Sequence, residues 1–323
     1  MDAQYTPRRH HSKAVSLITA PEHDLRGTGR YFLTMATSPR RHVLSEIQAG
    51  GTAVWTPMGQ CVHRHLEKMV SLYPIAIDRQ AIMPDHIHVC FRVTAPLRRS
   101  ILQVLATLRK LSEKDACALE GATTTLWEEK YRLFTAFDRA IYTRCIEYTA
   151  ANPKRWWLTR QHAINLRPRT ITHANLPAIY PWQAVGNLAL LEVPLKYAVV
   201  IHRADSPEVV AEKTAMACKI AEMGGVIVGG FIAQAEKTLL KTLYQCVPNL
   251  RLISLMPHTL TDYKPPARAL DDFKEGRRLL LSSVPNHPVD QPCLRAVCLR
   301  HNALAEALAA SLVTSGDTPE GIR

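Results

Sequence analysis

The chain has 323 residues, of which 47% are hydrophobic and 21% are charged, as in an ordinary globular protein with enough length for two hydrophobic cores. No apolar run approaches the roughly 20 residues needed to cross a bilayer. The start of the chain is polar and basic, so the sequence predicts neither a membrane span nor a secretory signal and favours a cytoplasmic location. The eight cysteines include no Cys-x-x-Cys pair, which argues against a zinc ribbon or a thioredoxin-type site.

The net charge of +12 is unevenly distributed along the chain. Residues 1–160 carry 23 Lys and Arg against 14 Asp and Glu, whereas the remainder carries 17 against 14. A basic N-terminal half favours a polyanionic partner such as nucleic acid. Charge alone is equally compatible with a solvated surface that only aids solubility.

The N-terminal half has the pattern of a small α+β domain over residues 29–160, preceded by a flexible segment over residues 1–28. Strands are predicted at residues 30–37, 75–82, 87–94 and 126–134, and helices at 58–72, 97–119 and 138–151. The last helix is expected to stop at Asn152-Pro153, because the residue before a proline disfavours the helical conformation. This order of elements indicates an antiparallel sheet with helices on one face.

The C-terminal half has a different rhythm. Residues 161–190 read as a connector, and strands and helices then alternate over residues 191–323. The predicted strands are 196–202, 224–230, 250–256 and 278–284, and the predicted helices are 207–223, 234–246 and 294–312. This alternation indicates a Rossmann-like α/β domain with a parallel sheet. Glycine pairs flank the second strand, but no phosphate-binding glycine motif is present, so tight turns are favoured over a nucleotide loop.

The most informative residues are His86 and His88, which lie on the strand predicted at 87–94 and the turn before it. Successive side chains of a strand point to opposite faces, so these two histidines face the same way and Ile87 faces the other. Two neighbouring imidazoles can hold one divalent metal ion. His63 and His65 have the same spacing but lie in a predicted helix, where they would point about 200° apart and could not share an ion.

A nucleophile for metal-bound phosphate is offered by Tyr148, on the helix predicted at 138–151. Asn152 follows one helical turn later on the same face. If this helix crosses the histidine strand, the Asn152 amide could be a third ligand and the Tyr148 hydroxyl could attack. Oxygen ligands favour Mg²⁺ or Mn²⁺. The alternative is that Tyr148 is a core residue and Asn152 a helix stop; Tyr142, six residues earlier, should face elsewhere.

Basic residues near these elements are candidates for contacts with DNA phosphates. They are Arg98, Arg99, Arg109, Lys110, Lys154 and Arg155. The adjacent Trp156 and Trp157 could stack on bases, but packing onto the core is favoured for them.

Three short motifs, taken together, resemble the single-tyrosine HUH transposases, and within them the REP-associated tyrosine transposases. They are Met-Pro-Asp-His-Ile-His at 83–88, Leu-Trp-Glu-Glu-Lys-Tyr at 126–131 and Ile-Glu-Tyr-Thr-Ala-Ala-Asn-Pro at 146–153. The resemblance covers roughly residues 28–160. The C-terminal part faintly resembles the Rossmann-like domains of DNA-processing and nucleotide-sensing proteins, from which no ligand follows.

The HUH resemblance implies a ferredoxin-like sheet and an endonuclease that cleaves single-stranded DNA near a hairpin. It implies that His86, His88 and Asn152 bind the metal and that Tyr148 forms a 5′-phosphotyrosine link, leaving a free 3′-hydroxyl for transposition by strand transfer. The protein would then act at the nucleoid, and the active site could lie within one chain or across a homodimer. The alternative is a domesticated protein that binds hairpin DNA without cleaving it.

Overall fold

The computed structural model divides the chain into two compact units, residues 1–161 and 162–323. It describes residues 8–11 (backbone only), 15–19, 23–121, 125–161, 163–261, 263–284 and 293–310. Within these residues, no helix is both long and apolar enough to span a membrane.

The N-terminal unit is built around one six-stranded sheet and a two-stranded hairpin. In chain order its elements are β1 (Arg8–His11), β2 (Val15–Thr19), β3 (Gly29–Ala36), β4 (Ser45–Gln48), β5 (Thr52–Trp55), α1 (Pro57–Leu72), β6 (Ile75–Ile82), β7 (His86–Val93), α2 (Ile101–Glu120), β8 (Tyr131–Thr135) and α3 (Arg139–Arg160). The strand order in the large sheet is β1-β2-β8-β3-β7-β6. All neighbours are antiparallel except β2 and β8. The predicted antiparallel sheet is therefore confirmed in its coarse form. The prediction that its helices lie on one face was wrong, because both faces carry apolar side chains: α1 and α2 cover one face and α3 covers the other.

The two faces of this sheet are covered by different helices, and β7 shows the division. Ile87, Val89 and Phe91 are fully buried in the main core, together with the apolar faces of α1 and α2. Cys90 points to the other face, where it packs with Tyr142 of α3. Because side chains alternate along a strand, His86 and His88 share the α3 face with Cys90.

The prediction that the helix stops at Asn152-Pro153 was wrong. Helix α3 continues through Pro153 to Arg160. A proline inside a helix removes one N–H donor and disfavours the geometry of the preceding turn, but tertiary packing can outweigh that cost. Here the turns after Pro153 are held by the burial of Leu158 and by contacts between α3 and the β4–β5 hairpin.

The N-terminal segment that was predicted to be flexible contains two strands. The predicted flexible segment, residues 1–28, includes β1 and β2; its residues 1–7, 12–14 and 20–22 lie outside the described part of the chain. Strand β2 has alternating burial and pairs in parallel with β8. The pattern is only five residues long, and its pairing partner lies more than 100 residues away in sequence. A pairing that distant leaves little local signal.

The C-terminal unit contains a second six-stranded sheet. Its elements are β9 (Arg169–Ile171), β10 (Trp182–Gly186), a 3₁₀ turn (Leu188–Leu191), β11 (Lys196–Val199), α4 (Pro207–Glu222), β12 (Val226–Gly229), α5 (Gln234–Cys246), β13 (Arg251–Leu255), α6 (Ala267–Lys274), β14 (Arg278–Ser282) and α7 (Leu294–Ala310). Strands β11 to β14 are parallel and adjacent in order, whereas β10 runs antiparallel to both β14 and β9. The predicted parallel sheet is confirmed, and the predicted connector, residues 161–190, supplies its two antiparallel strands.

The parallel strands are covered on both faces, as their nearly continuous burial requires. Helices α4 and α5 pack on one face and α7 on the other. The glycine pair before β12 serves a turn: Gly224 has φ +80°, and a Cβ on Gly225 would lie 2.8 Å from the carbonyl oxygen of Ile220. These contacts agree with the tight-turn interpretation.

A buried histidine makes the stability of the C-terminal unit sensitive to acid. His301 is 1% exposed, and burial, reinforced by the charge of Arg300, lowers its pKa from 6.5 to about 4. The unfolded chain therefore binds more protons between these values, so the free energy of unfolding should fall as the pH drops from about 6.5 to about 4. The expected loss is about 3 kcal/mol. In urea unfolding, the free energy of unfolding of the His301→Gln variant should depend less steeply on pH than that of the wild type. The control variant His258→Gln, at an exposed histidine, should keep the pH dependence of the wild type.

The packing of α3 against the β4–β5 hairpin can be tested by substituting two adjacent glycines of the hairpin turn. Gly50 and Gly51 have φ of +82° and +85°, so alanine is strained at both, by about 1–2 kcal/mol. Only at Gly51 would the added Cβ overlap the backbone of Lys154 on α3. Gly51→Ala should therefore destabilise the protein by about 1–3 kcal/mol more than Gly50→Ala in urea unfolding. Equal losses would contradict this docking of α3.

Candidate active site

The hairpin between β6 and β7 presents the two histidines from a well-anchored turn. The Met83 N–H donates to the carbonyl of His86 at 2.8 Å and closes the turn. The carbonyl of Pro84 accepts from the Leu44 N–H at 3.0 Å, and that of Asp85 accepts from the Thr37 N–H at 2.9 Å. The position of the histidine pair is thus fixed by backbone bonds to two other segments.

The imidazoles of His86 and His88 lie side by side, with ring centroids 4.7 Å apart. The Nδ1 of His86 is 2.6 Å from Oδ1 of Asp85, and the Nδ1 of His88 is 2.9 Å from Oγ1 of Thr34. When each Nδ1 carries the proton and donates it, both Nε2 lone pairs are available to a metal ion. Carboxylate and hydroxyl partners of this kind commonly fix the tautomer of metal-binding histidines.

The electrostatics of the pair suit a metal site. Burial, the charge of His86 and the charge of Arg155 lower the pKa of His88 to about 3, so this ring is neutral at pH 7, the form that binds metals. Burial would raise the pKa of Asp85, but its hydrogen bond to His86 and the charge of that ring prevail and lower the pKa. Asp85 therefore remains a carboxylate, and Arg40 stands 3.7 Å from it.

Helix α3 brings Tyr148 to the same place. The ring centroid of Tyr148 is 5.3 Å from that of His88, and Phe32 contacts both rings. Tyr148 is half-buried. The helix is held against β7 by contact of Thr149 Oγ1 with Cys90 Sγ at 3.4 Å. The tyrosine and the histidines meet within a single chain.

Asn152 occupies the same side of α3 as Tyr148, one turn later. It is 6% exposed, and its Nδ2 has no hydrogen-bond partner among the described residues. The two amide atoms differ only in assignment, and exchanging them puts Oδ1 in the unpartnered position. A buried amide oxygen in that position is a suitable ligand for a hard divalent cation. The imidazole and amide-oxygen donors of His86, His88 and Asn152 are of types that bind divalent cations such as Mg²⁺ or Mn²⁺.

The alternative tyrosine, Tyr142, is committed elsewhere. Its hydroxyl donates to Oδ2 of Asp78 at 2.7 Å, and burial together with this bond raises its pKa. Asp78 is in turn held by a bidentate pair with Arg92, at 2.7 and 2.8 Å. The Tyr142 hydroxyl is therefore bound to Asp78, although the residue packs on the same face of the sheet as the histidine pair.

The second His-x-His sequence behaves as its helical position predicts. His63 and His65 lie on α1 and have different partners. The Nδ1 of His63 is 2.9 Å from the Gln80 amide, whereas the Nε2 of His65 is 2.8 Å from the carboxylate of Asp115 on α2. The two rings do not share a ligand.

The six basic residues predicted to contact DNA divide between the two faces of the sheet. Lys154 and Arg155 lie on α3, and the guanidinium of Arg155 stands 4.7 Å from the centroid of the Tyr148 ring. The other four belong to α2 or the loop before it, and α2 packs on the opposite face. They are Arg98, Arg99, Arg109 and Lys110. Arg109 also donates to the carbonyl of Glu129 at 2.6 Å.

Sequence reasoning missed two residues that hold the histidines in place. The role of Asp85 could have been predicted from the sequence, because a carboxylate immediately before a candidate metal ligand is a natural hydrogen-bond partner. The role of Thr34 could not have been predicted, because Thr34 contacts His88 only through the β3–β7 register, in which these two residues are directly paired. Phe32, two residues earlier on the same face, is likewise brought to the site by that register.

No protein-family profile and no curated protein matches the chain. Among solved structures, a REP-associated tyrosine transposase bound to a REP hairpin aligns over 40% of this chain and 68% of its own, at 17% identity and a TM-score of 0.31. DNA processing protein A from Helicobacter pylori, studied for its single-stranded DNA binding, aligns over 44% of this chain and 65% of its own, at 23% identity and a TM-score of 0.31.

The Streptococcus pneumoniae form of DNA processing protein A aligns over 64% of this chain and 63% of its own, at 19% identity and a TM-score of 0.30. The chain thus spans less than two thirds of each DNA processing protein. At TM-scores of 0.30–0.31 these similarities establish neither the fold nor the chemistry of the chain.

The contact between Asp85 and His86 predicts a measurable effect on metal binding. Replacing the carboxylate in Asp85→Asn should weaken Mn²⁺ binding by about 10–100-fold in calorimetric titration, because outer partners orient the ligating ring. Glu128→Gln is the matched control, since Glu128 pairs with Arg40 at 2.8 Å without touching either histidine. Unchanged affinity in Asp85→Asn, or an equal loss in the control, would contradict this role.

Proposed function

We propose that the N-terminal unit is a metal-dependent single-stranded DNA nickase and strand transferase of the HUH single-tyrosine type, nearest to the REP-associated tyrosine transposases. The observation that supports this most directly is the meeting of Tyr148 with the histidine pair, with the Tyr148 and His88 rings 5.3 Å apart. A nucleophile beside two potential metal ligands is the minimum arrangement for metal-assisted phosphoryl transfer.

His86, His88 and Asn152 are the proposed ligands of one Mg²⁺ or Mn²⁺ ion. When bound, the ion would polarise a phosphoryl oxygen of the DNA and stabilise the charge that develops on it. Asp85 and Thr34 hold the two imidazoles in the tautomer that leaves Nε2 available. The neutral state of His88 means that metal binding displaces no proton from that ring.

Tyr148 supplies the covalent step. Its Oη attacks the phosphorus of a phosphodiester, an O–P bond forms to the tyrosine, and the bond from phosphorus to the 3′-oxygen breaks. The phenolic proton is lost, and the departing 3′-oxygen takes one up from solvent. The 5′ end remains attached as a phosphotyrosine, so the reverse attack by a 3′-hydroxyl can rejoin DNA with no external energy source.

The surroundings of Tyr148 are suited to a polyanion. Arg155 covers one side of the ring, and Lys154 lies next to it on the same helix. Residues 1–160 carry 23 Lys and Arg against 14 Asp and Glu. We propose that Lys154 and Arg155 contact the phosphates next to the scissile one, because positive charge there guides and holds a DNA strand. Arg98, Arg99, Arg109 and Lys110 could contribute only to DNA that reaches the other face.

The strand order of the N-terminal sheet is consistent with this proposal. The order β8-β3-β7-β6 of the central strands in the N-terminal unit, with α1 and α2 on one face, supports a ferredoxin-like assignment. We propose that assignment, together with a Rossmann-like assignment for the C-terminal unit.

The nucleophile can be tested with a hairpin-bearing single-stranded oligonucleotide in the presence of Mn²⁺. The wild type should form a covalent protein–DNA adduct that survives denaturing electrophoresis. Tyr148→Phe should reduce adduct formation by at least about 1,000-fold, because it removes the attacking oxygen. Tyr142→Phe is the matched control on the same helix and should retain the adduct.

The same assay separates catalysis from binding. An adduct formed by Tyr148→Phe, or lost only in Tyr142→Phe, would contradict the assignment of the nucleophile. If the wild type shifts the hairpin in a native gel but never forms an adduct with Mn²⁺ or Mg²⁺, the nickase proposal fails and a DNA-binding module without catalysis takes its place.

A further inference from the structure

A second cluster of metal-ligand side chains lies away from the candidate active site, between α1 and α2. Cys61 and His65 are one turn apart on α1, and Asp115 approaches them from α2. The Nε2 of His65 and Oδ2 of Asp115 are 2.8 Å apart, and one ligand atom from each of the three residues lies within 4.8 Å of the others. In the part of the chain that the structure describes, this is the one group of three or more His, Cys, Asp and Glu side chains as close as this.

We propose that Cys61, His65 and Asp115 bind a Zn²⁺ ion that links α1 to α2. Zinc binds thiolate sulfur at about 2.3 Å and nitrogen or carboxylate oxygen at about 2.0–2.2 Å, which puts tetrahedral ligand atoms about 3.3–3.7 Å apart. To reach this spacing, the His65 and Asp115 ligand atoms would move apart by less than about 1 Å, and the Cys61 sulfur would move closer to them by a similar amount. Rotations of the side chains about their own bonds can supply both movements.

The placement of the three residues favours a bound ion over three unrelated side chains. Cys61 is 1% exposed and forms the floor of the cluster, whereas Asp115 is on the surface with 55% of its side chain exposed. An ion can therefore enter from solvent past Asp115 and keep a water as its fourth ligand. The spacing i, i+4 on α1 directs Cys61 and His65 to the same side of the helix, which is the spacing that lets two helical ligands share one ion.

The choice of zinc follows from the donor atoms. A thiolate with an imidazole selects Zn²⁺ and related borderline metals, whereas Mg²⁺ and Mn²⁺ prefer oxygen. The proposed catalytic set of His86, His88 and Asn152 lies on the other face of the sheet and has no sulfur. The two sites should therefore differ in metal preference, and either could exist without the other.

The role we infer is structural. Helices α1 and α2 cover the core face of the sheet, and β7 contributes Ile87, Val89 and Phe91 to that core. A metal that joins the two helices would stabilise the folded state over the unfolded chain, in which the three ligands are far apart in space. It would take no direct part in DNA cleavage.

The test uses the full-length protein, stripped of metal with a chelator and titrated with Co²⁺ as a spectroscopic probe for zinc. Thiolate ligation gives a sulfur-to-cobalt charge-transfer absorption in the near ultraviolet, which histidine and oxygen ligands do not give. We expect this band to saturate at about one Co²⁺ per chain and to vanish when Zn²⁺ displaces the cobalt. Zn²⁺, and not Mn²⁺, should also raise the melting temperature.

Variants assign the band to the cluster. Cys61→Ser should abolish the band. Asp115→Ala, at an exposed position, should weaken Co²⁺ affinity by at least about 10–100-fold, the loss that is typical when only a hydrogen-bond partner of a metal ligand is removed. Because Asp115 is exposed, its variant keeps the fold even if Cys61→Ser does not. Cys246→Ser, at an exposed cysteine of the C-terminal unit, and His63→Gln are the matched controls and should keep the band.

The proposal is overturned if the wild type shows no sulfur-to-cobalt band, if Asp115→Ala binds Co²⁺ as tightly as the wild type, or if Cys246→Ser removes the band. Adduct formation with Mn²⁺ by Asp115→Ala reports separately on the active site. Its survival in a variant that has lost the cobalt band would show that the two sites are independent.

Discussion

The alternation of side chains along β7 is the constraint on which the rest of the N-terminal unit depends. One set of its residues, Ile87, Val89 and Phe91, is fully buried under α1 and α2, so the strand cannot slip by one residue without exposing all of them. The same register holds His86 and His88 on the opposite face, under α3. Burial of the core on one side thereby fixes the chemistry on the other.

The candidate site adds three elements to that strand. β3 contributes Thr34, directly opposite His88 in the sheet, the hairpin turn contributes Asp85, and α3 contributes Tyr148 with Asn152. Because α3 continues through Pro153 to Arg160, the same helix also carries Lys154 and Arg155 past the site. A helix that stopped at Asn152 would leave the amide in a flexible terminus, whereas the observed helix holds it buried at 6% exposure.

What the sequence could predict was local. The alternation around Ile87 predicted that the histidines share a face, and the helical spacing predicted that Tyr148 and Asn152 share another. Thr34, the short strand β2 and Asp115 were beyond reach, because their roles depend on partners that are distant in sequence. Pro153 misled for a different reason: its local preference against helix is real, but packing of Leu158 and the close approach of Gly51 to α3 outweigh it.

The central claim is that Tyr148 forms the covalent bond to DNA. The most direct measurement is mass spectrometry of the protein after reaction with a hairpin-bearing single strand and Mn²⁺, followed by nuclease and protease digestion. The account predicts a nucleotide attached through its 5′-phosphate to the peptide containing Tyr148, at that residue. A nucleotide on Tyr142 or on any other residue, or a 3′-phosphate linkage, would contradict it.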